Sequence, residues 1–260
     1  MTKEEWWSKY DSKELCKFHS DQFTKWWDPE LFDWKDSWYL AQSCFKYFDI
    51  WWDSEKFNWE DSWALAKLCS NYFNIWWDAE KFNWKDSGAL AEYQTNNFNI
   101  WWDPEKFDWK YGTEHLIKYC TKYFDIWWDA KKFNWEGSWV LAKYCIKYFK
   151  VWWDAKKFNW EDSWALAQYC SEYFNIWWDA EKFDWEDSWV LAQFCFKDFN
   201  IWWDAEKFDW RDGKDKLTKY CSSKFTDLQL KQLLLHSNKK AREFAIEELN
   251  RRENDKEDLV

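Results

Sequence analysis

Seven of the eight cysteines in this 260-residue chain recur at one position of an internal repeat, and thiols in such a pattern could bind metal or form disulfides. Equivalent residues of stacked helical units lie about 8–10 Å apart, which is too far for a disulfide or a shared zinc ion. No Cys-x-x-Cys occurs. We therefore predict small buried core residues and no metal site, with a metal ladder as the alternative. The column comprises Cys44, Cys69, Cys120, Cys145, Cys170, Cys195 and Cys221, with His19 and Gln94 in the same position of other repeats.

A second column consists of carboxylates that could bind cations or basic peptides. It is the Asp of the sequence Trp-Trp-Asp, at Asp28, Asp53, Asp78, Asp103, Asp129, Asp154, Asp179 and Asp204. Two of these residues precede a proline, Pro29 or Pro104, and Asp followed by Pro is typical of a helix start. The pattern predicts that the column caps short helical turns.

Lysines form a third column, three residues after the Asp. They are Lys56, Lys81, Lys106, Lys132, Lys157, Lys182 and Lys207. This spacing predicts a local ion pair with the Asp or a lysine stem over a tryptophan face, and a row of lysines could also bind an anionic ligand.

Residues for catalysis are not arranged in any recognisable motif. The three histidines, His19, His115 and His236, stand in unrelated contexts, and none lies in a hydrolase or zinc-protease motif. Only four glycines are present, so no phosphate-binding loop is expected. We predict a protein that is not an enzyme and needs no cofactor.

These columns arise because Trp-Trp-Asp recurs eight times, at intervals of 25 residues with a single interval of 26. A fixed period of this length predicts a solenoid, in which each unit buries its apolar face against its neighbours. Proline and glycine are scarce, which disfavours turn-rich β architectures. The predicted fold class is all-α, an α-solenoid of about eight Trp-rich repeats with distinct helical caps at both ends.

One repeat illustrates the helical reading. Asp162 and Ser163 are predicted N-cap residues, and the apolar face that follows has spacings of four, three and four. That face is formed by Leu166, Cys170, Tyr173 and Trp177. We predict a helix of about 12–15 residues, followed by a short helical turn at residues 180–185. The Asx residue before the last tryptophan, such as Asp184, is predicted to close a turn with its side chain.

The predicted domain organisation has three parts. Residues 1–25 form an N-terminal cap or partial repeat, residues 26–213 form the Trp-rich array, and residues 214–260 form a C-terminal helical cap. Within the last part, residues 227–253 predict two helices with polar outer faces.

Three departures from the repeat fall within residues 86–115. Gly88 replaces the tryptophan that follows the capping serine, Gln94 replaces cysteine, and one extra residue lies in the stretch that contains Tyr111 and Gly112, just before His115. These five residues are our candidate interaction seam. They indicate a relaxed packing joint, a specific site or sequence drift.

Tryptophan is the most unusual component, with 31 residues and four positions per repeat. Four exposed columns would create an apolar patch that aggregates, so we predict that most indoles form the core between repeats by offset and edge-to-face stacking. On a helix, neighbouring tryptophans point in different directions, so at most one of each Trp-Trp pair faces that core. A subset could line a groove for a glycan, an extended peptide or a small aromatic compound.

The charge distribution is uneven. The chain carries a net charge of −11, residues 214–260 contribute +2, and residues 1–213 therefore contribute −13. An acidic array repels nucleic acid and anionic membranes and attracts basic partners. The sequence contains neither a membrane-spanning apolar stretch nor an apparent signal peptide, so we expect an intracellular, cytoplasmic protein.

The repeat resembles short uncharacterised helical repeats of about two dozen residues, in which an acidic helix start precedes a Leu-Ala-rich helix. Trp-Asp-Ala-Glu-Lys-Phe-Asn-Trp-Glu-Asp-Ser-Trp-Ala-Leu-Ala-Lys-Tyr-Cys carries this resemblance. The C-terminal Leu233-Leu234-Leu235, Ala241-Arg242, Ala245 and Leu249 are similar to a unit of HEAT-type α-solenoids. The resemblance implies protein–protein interaction and no shared chemistry.

The sequence thus favours a repeat scaffold that binds a protein or peptide, with a basic partner preferred. Two alternatives remain. One is a module that binds a glycan or small molecule in an aromatic groove, and the other is an acidic inhibitor or decoy that mimics nucleic acid. The oligomeric state is not determined by the sequence.

Overall fold

A computed structural model describes residues 1–257 of the chain, and every regular element in that range is helical. The chain divides into two compact units, Met1–Asn134 and Trp135–Val260. Each unit is an α-solenoid in which the longer helix of one repeat packs on that of the next, as the sequence predicted. No helix within the described residues is both long enough and apolar enough to cross a membrane.

The first unit contains eleven α-helices. They are α1 (Lys3–Lys9), α2 (Ser12–His19), α3 (Phe23–Trp26), α4 (Ser37–Ser43), α5 (Phe48–Trp51), α6 (Ser62–Leu68), α7 (Phe73–Trp76), α8 (Ser87–Tyr93), α9 (Phe98–Trp101), α10 (Thr113–Tyr119) and α11 (Phe124–Trp127). Helices α2 and α3 already have the form of a repeat, so α1 is the element added at the N-terminal end.

The second unit has nine α-helices within the described residues. They are α12 (Trp139–Tyr144), α13 (Phe149–Trp152), α14 (Ser163–Tyr169), α15 (Phe174–Trp177), α16 (Trp189–Phe194), α17 (Phe199–Trp202), α18 (Trp210–Lys216), α19 (Asp227–Leu233) and α20 (Lys239–Glu257). The last two are the predicted C-terminal pair. A π-helical stretch, Leu217–Cys221, directly follows α18.

The predicted helix of 12–15 residues is wrong. Helix α14 ends before Cys170, a 3-10 turn covers Ser171–Tyr173, and the separate four-residue helix α15 follows. The Cys170 carbonyl accepts the indole N–H of Trp177 at 2.9 Å and the backbone N–H of Tyr173 at 2.9 Å. A buried indole needs an acceptor, and it binds the carbonyl at which the regular hydrogen-bond ladder is interrupted. The chain keeps its helical sense, so the apolar periodicity continues through the break.

Aromatic side chains form the core in each unit. The first tryptophan of every Trp-Trp-Asp sequence is at most 1% exposed, whereas the second is half-buried, so the two do differ in the core they face. Phe48 packs edge-on against Trp51 with ring centroids 4.9 Å apart, and it stacks on Tyr72 of the next repeat at 4.3 Å. Phe149 and Tyr173 repeat the second contact in the other unit at 4.4 Å. These geometries match the predicted edge-to-face and offset stacking.

Candidate interaction surface and seam

The Asp column caps helical turns, as predicted. In all eight repeats the carboxylate accepts the backbone N–H two residues later at 2.8–3.0 Å. In the seventh repeat, the Asp179 carbonyl also accepts the Phe183 N–H at 2.9 Å, which closes one helical turn within the stretch predicted to be helical. The carboxylates are therefore engaged in local backbone structure and are not collected into a cation site.

The serine at the start of the longer helices plays a different part from the one predicted. Helix α14 begins at Ser163, and its N-cap position, Asp162, makes no side-chain capping bond to that helix. The buried Ser163 hydroxyl instead accepts the backbone N–H of Asp184 in the next repeat at 2.9 Å. This hydrogen bond joins consecutive repeats, and it satisfies a backbone N–H that has no acceptor within its own turn.

The Asp before that serine forms a hydrogen bond with the preceding repeat. Burial raises the pKa of Asp86, and hydrogen bonds from the Trp63 backbone and the Asn83 side chain partly oppose the rise. Trp63 lies in the first turn of α6, in the preceding repeat. Asp162 behaves in the same way toward the backbone of Trp139 in α12. The acidic side chain therefore stabilises the helix start of the previous repeat, which sequence reasoning assigned to its own helix.

The Asx position closes its turn as expected. Asp184 accepts the N–H of Glu186 at 3.1 Å, and Asn58 accepts that of Glu60 at 3.3 Å. The same side chain thus fixes the short turn before the longer helix, while its own N–H is bonded to the serine of the repeat before.

All seven cysteines of the column are buried and free, as predicted for core residues. Burial raises the thiol pKa to about 12 for Cys69, Cys120, Cys145 and Cys170. Where the thiol donates a hydrogen bond, its acceptor is an alanine carbonyl of the preceding repeat, as with Cys120 and Ala91 at 3.3 Å. Among residues 1–257, no three His, Cys, Asp or Glu side chains are grouped closely enough to hold a metal ion.

The remaining cysteine, Cys16, stands one turn earlier in the first repeat. A hydrogen bond with Cys44 and burial raise its pKa. His19, which occupies the column in that repeat, is half-buried under α1, with its ring 4.8 Å from Trp6 and 4.5 Å from Tyr10.

The lysine column links neighbouring repeats more often than it pairs locally. Lys81 lies 2.5 Å from Glu55 and Lys56 lies 2.7 Å from Glu30, in each case a glutamate of the repeat before. Lys182 is the local case, 3.4 Å from Asp179. Five of these ammonium groups also lie 5.5–5.9 Å from the centroid of a tryptophan ring in the preceding repeat. The expected lysine stem over a tryptophan face is therefore present, and it bridges two repeats.

Turn segments of adjacent repeats lie side by side, and together we call them the turn strip. In the first unit the strip consists of residues 28–37, 53–62, 78–87 and 103–113; in the second unit it consists of residues 154–163, 179–188 and 204–213. Open clefts lie between neighbouring segments. One, of about 430 Å³, is lined by Trp59, Glu60, Lys81, Asn83 and Lys85. A similar cleft of about 640 Å³ in the second unit lies between Trp135 and Glu136, which precede the strip there, and the first strip segment. Lys157, Asn159 and Glu161 line it from that segment.

The five seam residues separate into two groups. Gln94 is 2% exposed, and its side-chain N–H donates to the Ala66 carbonyl at 2.7 Å. It thus uses the same type of acceptor as the cysteines that it replaces. Only glycine fits at position 112, because a Cβ there would lie 2.5 Å from Phe107 Cζ and 2.8 Å from the Asp108 carbonyl oxygen. Neither residue is available to a ligand.

The other three seam residues meet at one place. A Cβ on Gly88 would lie 3.0 Å from His115 Cδ2, so the imidazole occupies part of the space left by the missing indole. Tyr111 is 69% exposed at the mouth of the cleft that Gly88 and His115 line. His115 Nδ1 lies 3.1 Å from Glu92 Oε2 but makes no hydrogen bond.

Two features of the structure were not predicted from the sequence. Gly213 repeats the device of Gly112, since its N–H bonds to the Asp209 carbonyl and the ring of Phe208 leaves no room for a Cβ. The interval of 26 residues between Cys195 and Cys221 was the signal. The second feature is an exposed apolar column directly before Trp-Trp, 52–59% exposed: Ile50, Ile75, Ile100, Ile126, Val151, Ile176 and Ile201.

The tryptophan columns differ in exposure. The first of each pair is buried, the other three columns are half-buried apart from the buried Trp210, and none is exposed.

The chain was also compared with known proteins. No protein-family model, no curated protein and no solved structure matches this chain.

Proposed function

We propose that the chain is a non-enzymatic repeat scaffold that binds a basic protein or peptide along the turn strip. Its charge distribution carries the proposal. In the first unit the strip has 14 acidic and 6 basic residues, a net charge of −8; in the second unit it has 12 and 5, a net charge of −7. The acidity of the array therefore resides in the turn strip, and a field of one sign along a surface attracts a partner of the opposite sign.

The exposure of the glutamates supports this proposal. Six glutamate side chains of the strip are 79–85% exposed: Glu30, Glu55, Glu80, Glu105, Glu181 and Glu206. Pairs with lysines at the surface contribute about 0–1 kcal/mol each, so a cationic partner can compete for these carboxylates at little cost. The prediction of an intracellular, cytoplasmic location stays part of the proposal.

The alternative, an aromatic groove along the strip that binds a glycan or small molecule, is less favoured than a site for a basic partner. Five tryptophans in the turns carry a lysine of the next repeat over the ring, as Lys106 over Trp84 at 5.9 Å. A glycan or aromatic molecule that stacked along the strip would displace one lysine in each such repeat. The decoy alternative uses the same carboxylates, and it differs in requiring a partner that normally binds nucleic acid.

A labelled decalysine peptide tests the proposal. We expect fluorescence anisotropy to report binding that weakens at least tenfold between 50 mM and 500 mM NaCl, because salt screens exposed charges. A triple variant, Glu55→Gln, Glu80→Gln and Glu105→Gln, should weaken binding at least fivefold at 50 mM NaCl.

The matched control removes the same charge from the helical segments of the same unit, as Asp49→Asn, Glu92→Gln and Asp125→Asn. It should change the affinity less than twofold. An equal loss in both variants, or an affinity that does not depend on salt, would contradict a partner site on the turn strip. Competition between decalysine and a basic DNA-binding protein would favour the decoy alternative.

A further inference from the structure

The tryptophan after the serine packs against its counterpart in the neighbouring repeat in two places, and Gly88 interrupts this column in the third repeat. Trp38 and Trp63 have ring centroids 6.2 Å apart, and Trp139 and Trp164 are also 6.2 Å apart. Beyond Trp63, the next member of the column is Gly88. One side of the Trp63 ring therefore faces an open cleft where the regular array has an indole.

That cleft has a volume of about 200 Å³. Its lining includes Trp63, Lys85, Asp86, Gly88, Tyr111 and His115. A cavity of about 150 Å³ is large enough to bind benzene, so the space suits a molecule with one or two fused rings. Three aromatic side chains line it, Trp63, Tyr111 and His115, and a small aromatic ring can stack against them.

The polar side of the cleft includes Asp86, whose hydrogen-bond donors differ from those of the corresponding aspartates in two other repeats. Asp61 and Asp187 each have a hydrogen bond with the side chain of the tryptophan two residues later, Trp63 and Trp189. The only polar hydrogen of an indole is its ring N–H. Two residues after Asp86 stands Gly88, so Asp86 has no indole donor of its own and, like Asp162, is bonded by an Asn side chain and the tryptophan backbone of the preceding repeat.

The bonds that Asp86 does make leave room for another. Asn83 Nδ2 donates to Oδ2 at 3.3 Å, and the Trp63 backbone is the other donor. A carboxylate offers about four acceptor positions. Because burial disfavours the charged form of Asp86, an additional N–H donor would stabilise it more than at an exposed carboxylate.

We propose that the cleft at Gly88 binds a planar aromatic molecule of indole size, stacked on Trp63, with a ring N–H that donates to Asp86. The molecule takes the place of the side chain that the third repeat lacks. Tyr111 and His115 line the same cleft, so their rings can contact the other edge of the ligand.

The test uses 5-fluoroindole and the complete chain, followed by fluorine NMR. We expect a saturable change in the shift and width of the fluorine signal. Gly88→Trp, which fills the cleft, should weaken binding at least tenfold. Because a Cβ at residue 88 approaches His115 closely, a second variant combines Gly88→Trp with His115→Ala, and circular dichroism checks that both variants fold.

Two comparisons test the hydrogen bond without altering the shape of the cleft. The N-methyl derivative of 5-fluoroindole, which has no N–H, should bind the unmodified chain at least fivefold more weakly. Asp86→Asn should weaken 5-fluoroindole at least fivefold, whereas the matched change in a repeat that has its tryptophan, Asp187→Asn, should leave the affinity unchanged. Absence of saturable binding, or equal affinity in the folded Gly88→Trp variants, would overturn the site. Equal binding of the two ligands would overturn the role of Asp86.

Discussion

The Ser62 hydroxyl accepts a hydrogen bond from the backbone N–H of Asn83, 3.0 Å away in the next repeat. The serine is fully buried, and the same bond joins Ser37 to Asn58 and Ser163 to Asp184. Consecutive repeats are thus linked by a side chain of one and the backbone of the next, in addition to their aromatic packing. The bond explains why a serine stands at the start of these longer helices.

Removing this hydroxyl should destabilise the array. We expect Ser62→Ala to lower the free energy of unfolding by about 1–3 kcal/mol, because the buried N–H of Asn83 loses its acceptor. Urea unfolding measures the change. Ser54→Ala is the control, since that hydroxyl is exposed and contacts only Glu55 at 3.5 Å. A loss as small as that of the control would show that the bond between repeats does not contribute.

The buried tryptophans should matter more than the half-buried ones. Trp76→Phe removes part of a ring that is 1% exposed and the indole bond to the Cys69 carbonyl at 3.0 Å. We expect a loss of about 2–4 kcal/mol in the free energy of unfolding. Trp84→Phe removes a comparable bond, to Ala79 at 2.9 Å, from a half-buried ring and should cost less than about 1.5 kcal/mol. Denaturant midpoints of the two variants, measured side by side, decide the ranking, and the reverse order would contradict it.

The glycines provide an internal comparison of sterics. A Cβ at Gly112 would meet Phe107 and the Asp108 carbonyl, whereas a Cβ at Gly137 would meet nothing within 4 Å. Neither residue has a positive φ. We expect Gly112→Ala to lower the melting temperature, and Gly137→Ala to leave it unchanged or raise stability by about 0.4–1 kcal/mol. Differential scanning calorimetry gives both values, and a neutral Gly112→Ala would show that the turn adapts.

The buried thiols predict a loss of stability in alkali. Burial raises the pKa of Cys145 and Cys170 from 9.0 to about 12, so the folded chain holds these protons more tightly than the unfolded chain. The resulting stabilisation is fully present below pH 9 and is lost as the pH rises toward 12. Urea unfolding between pH 8 and 11 should therefore have a less steep pH dependence in the double variant Cys145→Ala and Cys170→Ala. An unchanged slope would mean that the thiols are not responsible.

Much of the fold could be predicted because the same pattern of apolar and capping residues recurs eight times. The Asp of Trp-Trp-Asp was assigned correctly as a cap because a local bond to an N–H two residues away depends only on nearby sequence. The long helix was predicted wrongly because apolar periodicity does not record which donor a carbonyl accepts, and the Cys170 carbonyl accepts an indole. Ser163 was assigned to its own helix because its partner, Asp184, lies 21 residues later.

The seam residues likewise could be located from the sequence, whereas their contacts could not be predicted from it. Gly88, Gln94 and the inserted residue could be found by counting, but their roles depend on contacts across repeats. Gln94 continues the cysteine column by bonding to Ala66, and Gly112 is required by the ring of Phe107. Only Gly88, Tyr111 and His115 share a cleft.

The sequence by itself determined the helical class, the period, the caps at both ends and the burial of the cysteines, because periodicity and local capping are properties of neighbouring residues. The tertiary structure decided which tryptophans are buried, where the acidic residues gather and which seam residues meet. Those features arise from contacts between residues about 25 positions apart, such as Lys81 with Glu55 and Gly88 with His115. Such contacts depend on how one repeat is stacked on the next, and that stacking is fixed by packing across the whole interface.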